Sequence, residues 1–238
     1  MIKVNRVSKQ FNGQKVLKDL NLEVESGEIL AVLGESGSGK SVLLKHLIGI
    51  MKPDHGTIEI DGVDITKLSE RELLQIRKKI GYLFQEGALY DFMTVYENVA
   101  FPLVEHTKLD EKKIDEKVRD LLKTVDLEEA ADKYPSELSG GMKKRSALAR
   151  SVILGSKVLF CDEPTSGLDP IKSKGISDLI RNISRQLKCT TVITSHDIQN
   201  SLRIADRLVL IHDGKIAVEG TPQEWRNSDN PLVKAFLI

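Results

Sequence analysis

The sequence predicts an α/β fold: a mainly parallel sheet with an antiparallel β subdomain near the N-terminus and an inserted α-helical subdomain. Three observations predict it. Short apolar, β-branched runs alternate with helical patterns, as parallel strands covered on both faces require. Two other runs alternate apolar and polar residues, and two Asp-Gly pairs mark hairpin-type turns. Residues 87–157 contain no convincing strand and carry a helical period instead.

Along the chain, Asn21–Glu25 and Thr57–Asp61 are the alternating strands, the second running into the turn Asp61-Gly62. Glu28–Leu33 is the first continuous strand and Val42–Ile50 the helix after it. Ser69-Glu70-Arg71-Glu72 has the spacing of a capping box, and Ile80–Phe84 is the next strand. Thr107-Lys108-Leu109-Asp110 reads as a second capping box ahead of an apolar stripe, Ile114, Val118, Leu121, Leu122 and Val125, on a charged helix. A helical pattern over Lys143–Leu154 leads to strands at Val158–Cys161, Thr191–Thr194 and Leu208–Ile211, with Asp213-Gly214 turning the last. The expectation is one domain over 1–238, with a core from 1–86 and 158–238 and the helical subdomain at about 87–157.

Composition narrows the class. The chain has 35 Lys+Arg against 35 Asp+Glu, so no excess charge draws it to nucleic acid. With 238 residues, 40% of them hydrophobic, it can bury roughly 70–75% of its unfolded surface, which excludes a disordered or fibrous chain. Its longest stretch free of Asp, Glu, Lys and Arg, Cys189–His196, is far short of a membrane span. Met1–Arg6 lacks the plan of a secretory leader, and Cys161 and Cys189 have no metal-binding spacing, so a reducing, cytosolic setting is expected.

Gly34-Glu35-Ser36-Gly37-Ser38-Gly39-Lys40-Ser41 follows the strand ending at Leu33, and Val42 begins the helix. This is the phosphate-loop pattern in its required setting. Glycines let backbone N–H groups turn inward around phosphate oxygens, and the helix start adds roughly half a positive charge. Lys40 adds a mobile cation for the terminal phosphates, and the Ser41 hydroxyl is a ligand for Mg²⁺. A strand ending in two acids, Val158–Glu163, supplies the complementary site. Asp162 would face Mg²⁺ through its water shell, and Glu163, pointing differently, would orient or deprotonate an attacking water.

Three more segments, Leu138-Ser139-Gly140-Gly141-Met142, Ser166-Gly167-Leu168-Asp169-Pro170 and Thr194-Ser195-His196-Asp197, join Gln85 after the strand at Ile80. With the phosphate loop, they resemble the signature motif, D-loop, H-loop and Q-loop of an ABC-transporter ATPase, over essentially the whole chain. The resemblance implies ATP and Mg²⁺ as cofactors and a homodimer closed head to tail around two nucleotides. Ser139, Gly140 and Gly141 would cap the γ-phosphate held by the other chain, and Asp169 would sit at that interface. His196 would hold the γ-phosphate, Glu163 and the water in line, Gln85 would join the metal ligands and sense the γ-phosphate, and Phe11 would stack on adenine.

Six of eleven aromatic residues, Tyr82, Phe84, Tyr90, Phe92, Tyr96 and Phe101, fall within twenty positions, a density that suits a partner groove. In the family this segment receives a coupling helix from a separate membrane permease, which would hold the ATPase against the cytoplasmic face of the inner membrane. Leu83–Asp91 and Met93–Leu103, with Gly39–Lys45, Leu138–Arg145 and the closing segment Pro231–Ile238, resemble the ATPase of Mla-type (MCE) phospholipid transport systems. That implies an MCE-type periplasmic partner and a possible cytosolic accessory chain. Import of small polar solutes or lipoprotein release is the alternative, and a soluble ABC-type clamp on ribosome or DNA is a second. The Lys143-Lys144-Arg145 cluster follows a helix start and is not taken as a polyanion site.

Overall fold

The computed structural model describes residues 1–237. In chain order its elements are β1 (Ile2–Phe11), β2 (Gln14–Val24), β3 (Ile29–Leu33), α1 (Lys40–Leu47), β4 (His55–Ile60), β5 (Val63–Asp64), α2 (Glu70–Arg77) and β6 (Ile80–Leu83). Three helices follow, α3 (Val95–His106), α4 (Glu111–Thr124) and α5 (Gly140–Val152). The chain then runs through β7 (Val158–Asp162), α6 (Pro170–Leu187), β8 (Thr190–Ser195), α7 (Ile198–Ile204), β9 (Arg207–His212), β10 (Lys215–Gly220), α8 (Pro222–Arg226) and α9 (Pro231–Leu237).

The strands form two sheets. An antiparallel sheet has the order β2-β1-β4-β5, and a six-stranded sheet has the order β10-β9-β3-β8-β7-β6. In the larger sheet only β9 and β10 pair antiparallel; β3 pairs in parallel with both β8 and β9. The carboxyl ends of β3, β7 and β8 therefore lie side by side, with Leu33 opposite Ser195 and Asp162 opposite Thr194. In open parallel sheets, this edge is where ligands bind.

Period-2 alternation divides the core. Ile29, Ala31, Leu33, Leu159, Cys161 and Ile193 join one cluster with α3, α5 and α6. Leu30, Val32, Val158, Phe160 and Val192 join the other, with α1 and the antiparallel sheet. Both faces of the sheet are thus dry, which explains the unbroken apolar runs. Cys161 and Cys189 are buried free thiols. Among the described residues, no helix is long and apolar enough to cross a membrane.

Several expectations need correction. Thr107–Asp110 is not a capping box: Thr107 Oγ1 donates to the Leu103 carbonyl at the end of α3, and Asp110 alone caps α4, accepting from Lys113 N–H. An Asp is a sufficient cap by itself, so the helix starts after it. The Ser69–Glu72 box is present. Helix α1 begins at Lys40 and ends at Leu47, and α5 begins at Gly140, because phosphate-loop and Ser139 turns feed directly into helical backbone. The turn Asp213-Gly214 joins β9 to β10 at the edge of the large sheet rather than in the antiparallel one. Strand β1 was not anticipated. The closing helix spans Pro231–Leu237, and Ile238 lies outside the described residues.

Candidate functional site

A cleft of about 710 Å³ opens at the carboxyl edge of the large sheet, lined by Phe11, Ser36, Gly37, Gly39, Lys40, Ser41, Val42, Gln85, Glu163 and His196. Val16, unforeseen in the sequence, and Ser166, from the segment expected to form the D-loop, complete its wall. The loop from β3 turns into α1 through Gly39, at φ 104°. A Cβ there would come within 3.0 Å of Leu17 and also crowd Val16, so the close approach to β2 requires glycine. Lys40 is buried, and its Nζ donates to the carbonyls of Gly34 at 2.7 Å and Glu35 at 3.1 Å. Glu35 and Ser38 line a neighbouring cavity with Lys18 and His212 rather than the cleft, and the Ser38 hydroxyl is buried without a partner.

Strand pairing builds the acidic half. Asp162 ends β7, where Ser41 Oγ donates to its Oδ1 at 2.9 Å and Thr194 Oγ1 donates to the same oxygen at 2.7 Å. Tyr82 OH donates to Oδ2 at 3.4 Å; burial and then the Asp162 charge push its phenol far above its ordinary pKa, keeping it a donor. Glu163 follows at φ 44°, a left-handed conformation that disfavours a side chain by about 1–2 kcal/mol. Its N–H is shared between the carbonyl and hydroxyl oxygens of Thr194, both at 3.1 Å. Its carboxylate meets Lys40 Nζ at 3.4 Å through Oε1 and His196 Nδ1 at 2.8 Å through Oε2. The side chain of Glu163 is 11% exposed and that of His196 67%, so the pair spans from the dry floor of the cleft to its mouth.

These contacts define what the residues can do. The loop N–H groups, Lys40 and the start of α1 suit an anion. Ser41 and Asp162 present hard oxygens beside each other, a donor set that fits Mg²⁺. Among the described residues no group of three or more His, Cys, Asp or Glu could hold a metal ion. Gln85 Nε2 reaches Ser166 Oγ at 3.3 Å across the cleft.

Other expected residues stand apart. Ser139 caps α5, its Oγ accepting from Met142 N–H at 3.4 Å. A Cβ on Gly140 would meet Leu168 at 3.4 Å, and one on Gly141 would meet Lys172 at 3.6 Å, so this loop lies against the start of α6. Asp169 caps α6 and pairs with Lys172 at 2.8 Å, which holds its carboxyl below the usual range. Neither Ser139, Gly140, Gly141 nor Asp169 lines the cleft. The contacts of Tyr82 and Thr194 with Asp162 were not foreseen, although Thr194 opens the expected H-loop segment.

The ABC transporter family matches residues 17–166. This chain belongs to that family. The cassette is 42% identical over 237 residues to the intermembrane phospholipid transport system ATP-binding protein MlaF of Haemophilus influenzae, covering all of this chain and 90% of that one. It is equally identical over 236 residues to a probable ribonucleotide transport ATP-binding protein, mkl, of Mycobacterium bovis, covering 99% of this chain. The cassette spans only 66% of that relative's length. A methionine import ATP-binding protein, MetN, of Clostridium tetani is also 42% identical, over 220 residues, covering 92% of this chain and 69% of that one. Among solved structures, a dimeric ATP-binding cassette in a post-hydrolysis state, bound to ADP and Pi, superposes with a TM-score of 0.85 at 31% identity, covering 93% of this chain and 99% of that one.

A second groove, about 700 Å³, lies on the helical segment. Phe92, Met93, Ala100, Phe101, Val104 and Ile114 form its apolar surface, with Glu97, Glu111 and Asp115 among its lining. Phe92 is 75% exposed, whereas Tyr82 turns inward to Asp162. Of the aromatic cluster, Phe92, Tyr96 and Phe101 therefore line this groove, Tyr82 packs toward Asp162, and Phe84 and Tyr90 are exposed outside both.

Proposed function

We propose that the chain is the Mg²⁺-dependent ATP-hydrolysing subunit of a transporter, working as a homodimer on a separate membrane permease. The observation that carries this reading is the placement of Glu163 between Lys40 and His196, at the floor of a cleft walled by the phosphate loop. Phe11 offers a ring for adenine at the cleft's mouth, and the loop with Lys40 takes the phosphates. Ser41, Asp162 and Gln85 would hold Mg²⁺, which supplies charge neutralisation at the phosphate oxygens when bound. Glu163 accepts the proton of the attacking water while His196 fixes the orientation of its carboxylate. The Ser139–Gly141 loop and Asp169, which do not line their own cleft, serve the cleft of a second copy. The dimeric state of the similar cassette supports that arrangement.

The groove around Phe92 fits an apolar segment of the permease. Phospholipid movement between inner and outer membrane is the cargo reading, supported by likeness to MlaF over the whole chain and by the wording of Leu83–Leu103. It brings an MCE-type periplasmic partner and a cytosolic accessory chain, with the ATPase peripheral on the inner membrane. Equal identity to MetN favours small-solute import as a second reading. Calorimetry with Mg-ATP tests the shared part: binding is expected, and Lys40→Ala is expected to weaken it by about 1.5–3 kcal/mol. Unchanged affinity in that variant would refute it. Proteins recovered with the tagged chain from solubilised membranes decide the cargo, an MCE-type companion supporting phospholipid and a solute-binding protein supporting import.

A further inference from the structure

Two cations on α5 fasten the turn after β6. Gly87 N–H donates to the Phe84 carbonyl at 2.9 Å, closing the turn that carries Gln85. Lys144 Nζ donates to the carbonyl oxygen of Gln85. Arg150 donates to the Gly87 carbonyl at 2.9 Å and to Asn98 Oδ1 at 3.4 Å, its guanidinium 5.4 Å from the centre of the Tyr90 ring. Gly87 lies at φ 79°, and a Cβ there would approach Ala147 Cβ to 3.3 Å, so the turn is seated directly on the helix.

Lys144 is 6% exposed. Burial lowers its pKa, and Glu86 and Glu163 act on it through space without a hydrogen bond. A buried ammonium held by a neutral carbonyl is an expensive way to fill space, and an apolar chain of equal length would pack at lower cost. Its placement is explained if the charge has a task. The carbonyl it grips belongs to the residue whose amide reaches Ser166 across the cleft. The helix that carries it begins at the Ser139 cap.

We propose that Lys144 is a positioning residue: its grip on the Gln85 backbone sets where the Gln85 amide stands in the nucleotide cleft and ties that position to the helix bearing Ser139–Gly141. Arg150 holds the far side of the same turn. The proposal rests on the nucleotide reading above and adds a residue to it. Gln85 and the Ser139 loop then move together, and a change at one is carried to the other by a charged contact rather than by apolar packing alone.

The test uses the full chain as wild type, Lys144→Met, Lys144→Arg, Gln85→Ala and the Gln85→Ala/Lys144→Met double variant. Calorimetry with Mg-ATP is expected to give affinities within about threefold for wild type and Lys144→Met. Hydrogen exchange at amides 84–88 in the presence of Mg-ATP is expected to be about tenfold faster in Lys144→Met, and near wild type in Lys144→Arg. Turnover is expected to fall about tenfold in Lys144→Met with KM little changed, to recover in Lys144→Arg, and to fall no further in the double variant than in Gln85→Ala. Should Lys144→Met not fold, Lys144→Gln carries the same comparison. Wild-type exchange and turnover in Lys144→Met, or multiplicative losses in the double variant, would overturn the proposal while leaving nucleotide binding intact. Failure of the wild type to bind Mg-ATP would overturn the nucleotide reading and this inference with it.

Discussion

Glu163 holds a left-handed backbone, and the contacts that keep it there are those that aim its carboxylate: Thr194 on its N–H, Lys40 and His196 on its oxygens. Glu163→Gln preserves the shape and the contact with His196 but removes the charge and the proton acceptor. Turnover should drop roughly 10²–10⁴-fold with ATP affinity retained, read by steady-state kinetics beside calorimetry. The phosphate loop and the acidic pair were legible because each is a short motif whose residue types state their chemistry. The contacts of Tyr82, Thr194 and Lys144 were not, because only strand register and helix packing bring these residues to the site. A residue outside the chemistry makes a separate prediction. His46, buried on α1, donates from Nδ1 to the Val42 carbonyl, and its Nε2 has no partner. Burial lowers its pKa from 6.5, with Lys9 adding to the effect against Asp54. Above about pH 6.5 both folded and unfolded chains are neutral here; below it the unfolded chain takes the proton first, so stability falls as pH drops toward the folded value. Urea midpoints at pH 7.5 and 5.5 should therefore differ more for wild type than for His46→Leu.

At the scale of elements, α5 carries both ends of the proposed machine. Its cap, Ser139, is exposed, as the proposed contact with a second copy requires, and its flank holds the Gln85 turn. Ser139→Arg fills the loop with a long cation and removes a cap worth about 0.5–2 kcal/mol. Hydrolysis should cease while a single chain keeps Mg-ATP affinity within roughly threefold, and a thermal melt should show a small loss only. Hydrolysis at the wild-type rate would remove this loop from the site. Most strands and the helical character of the middle were legible from period alone. Strand β1 was not: register shifts between Val4 and Val7 and again between Val7 and Lys9, with Arg6 at φ 49°, break the alternation a reader needs. The helix boundary at Thr107 failed for a different reason, since a threonine that ends one helix and a box that opens the next look alike in sequence.

The whole molecule presents one cleft whose own side chains supply loop, acids and histidine, and a separate exposed edge bearing Ser139 and Asp169. In the proposed dimer, two copies placed head to tail would bring edge and cleft together, with each nucleotide buried between chains. In that proposed arrangement association would depend on ATP and dissociation on its hydrolysis. Blocking hydrolysis should trap the joined form. The most direct measurement is the mass in solution of Glu163→Gln by light scattering, with and without saturating Mg-ATP. The account predicts a shift from 26.5 kDa to twice that value on adding nucleotide, and a mass that stays at 26.5 kDa under nucleotide saturation would contradict it.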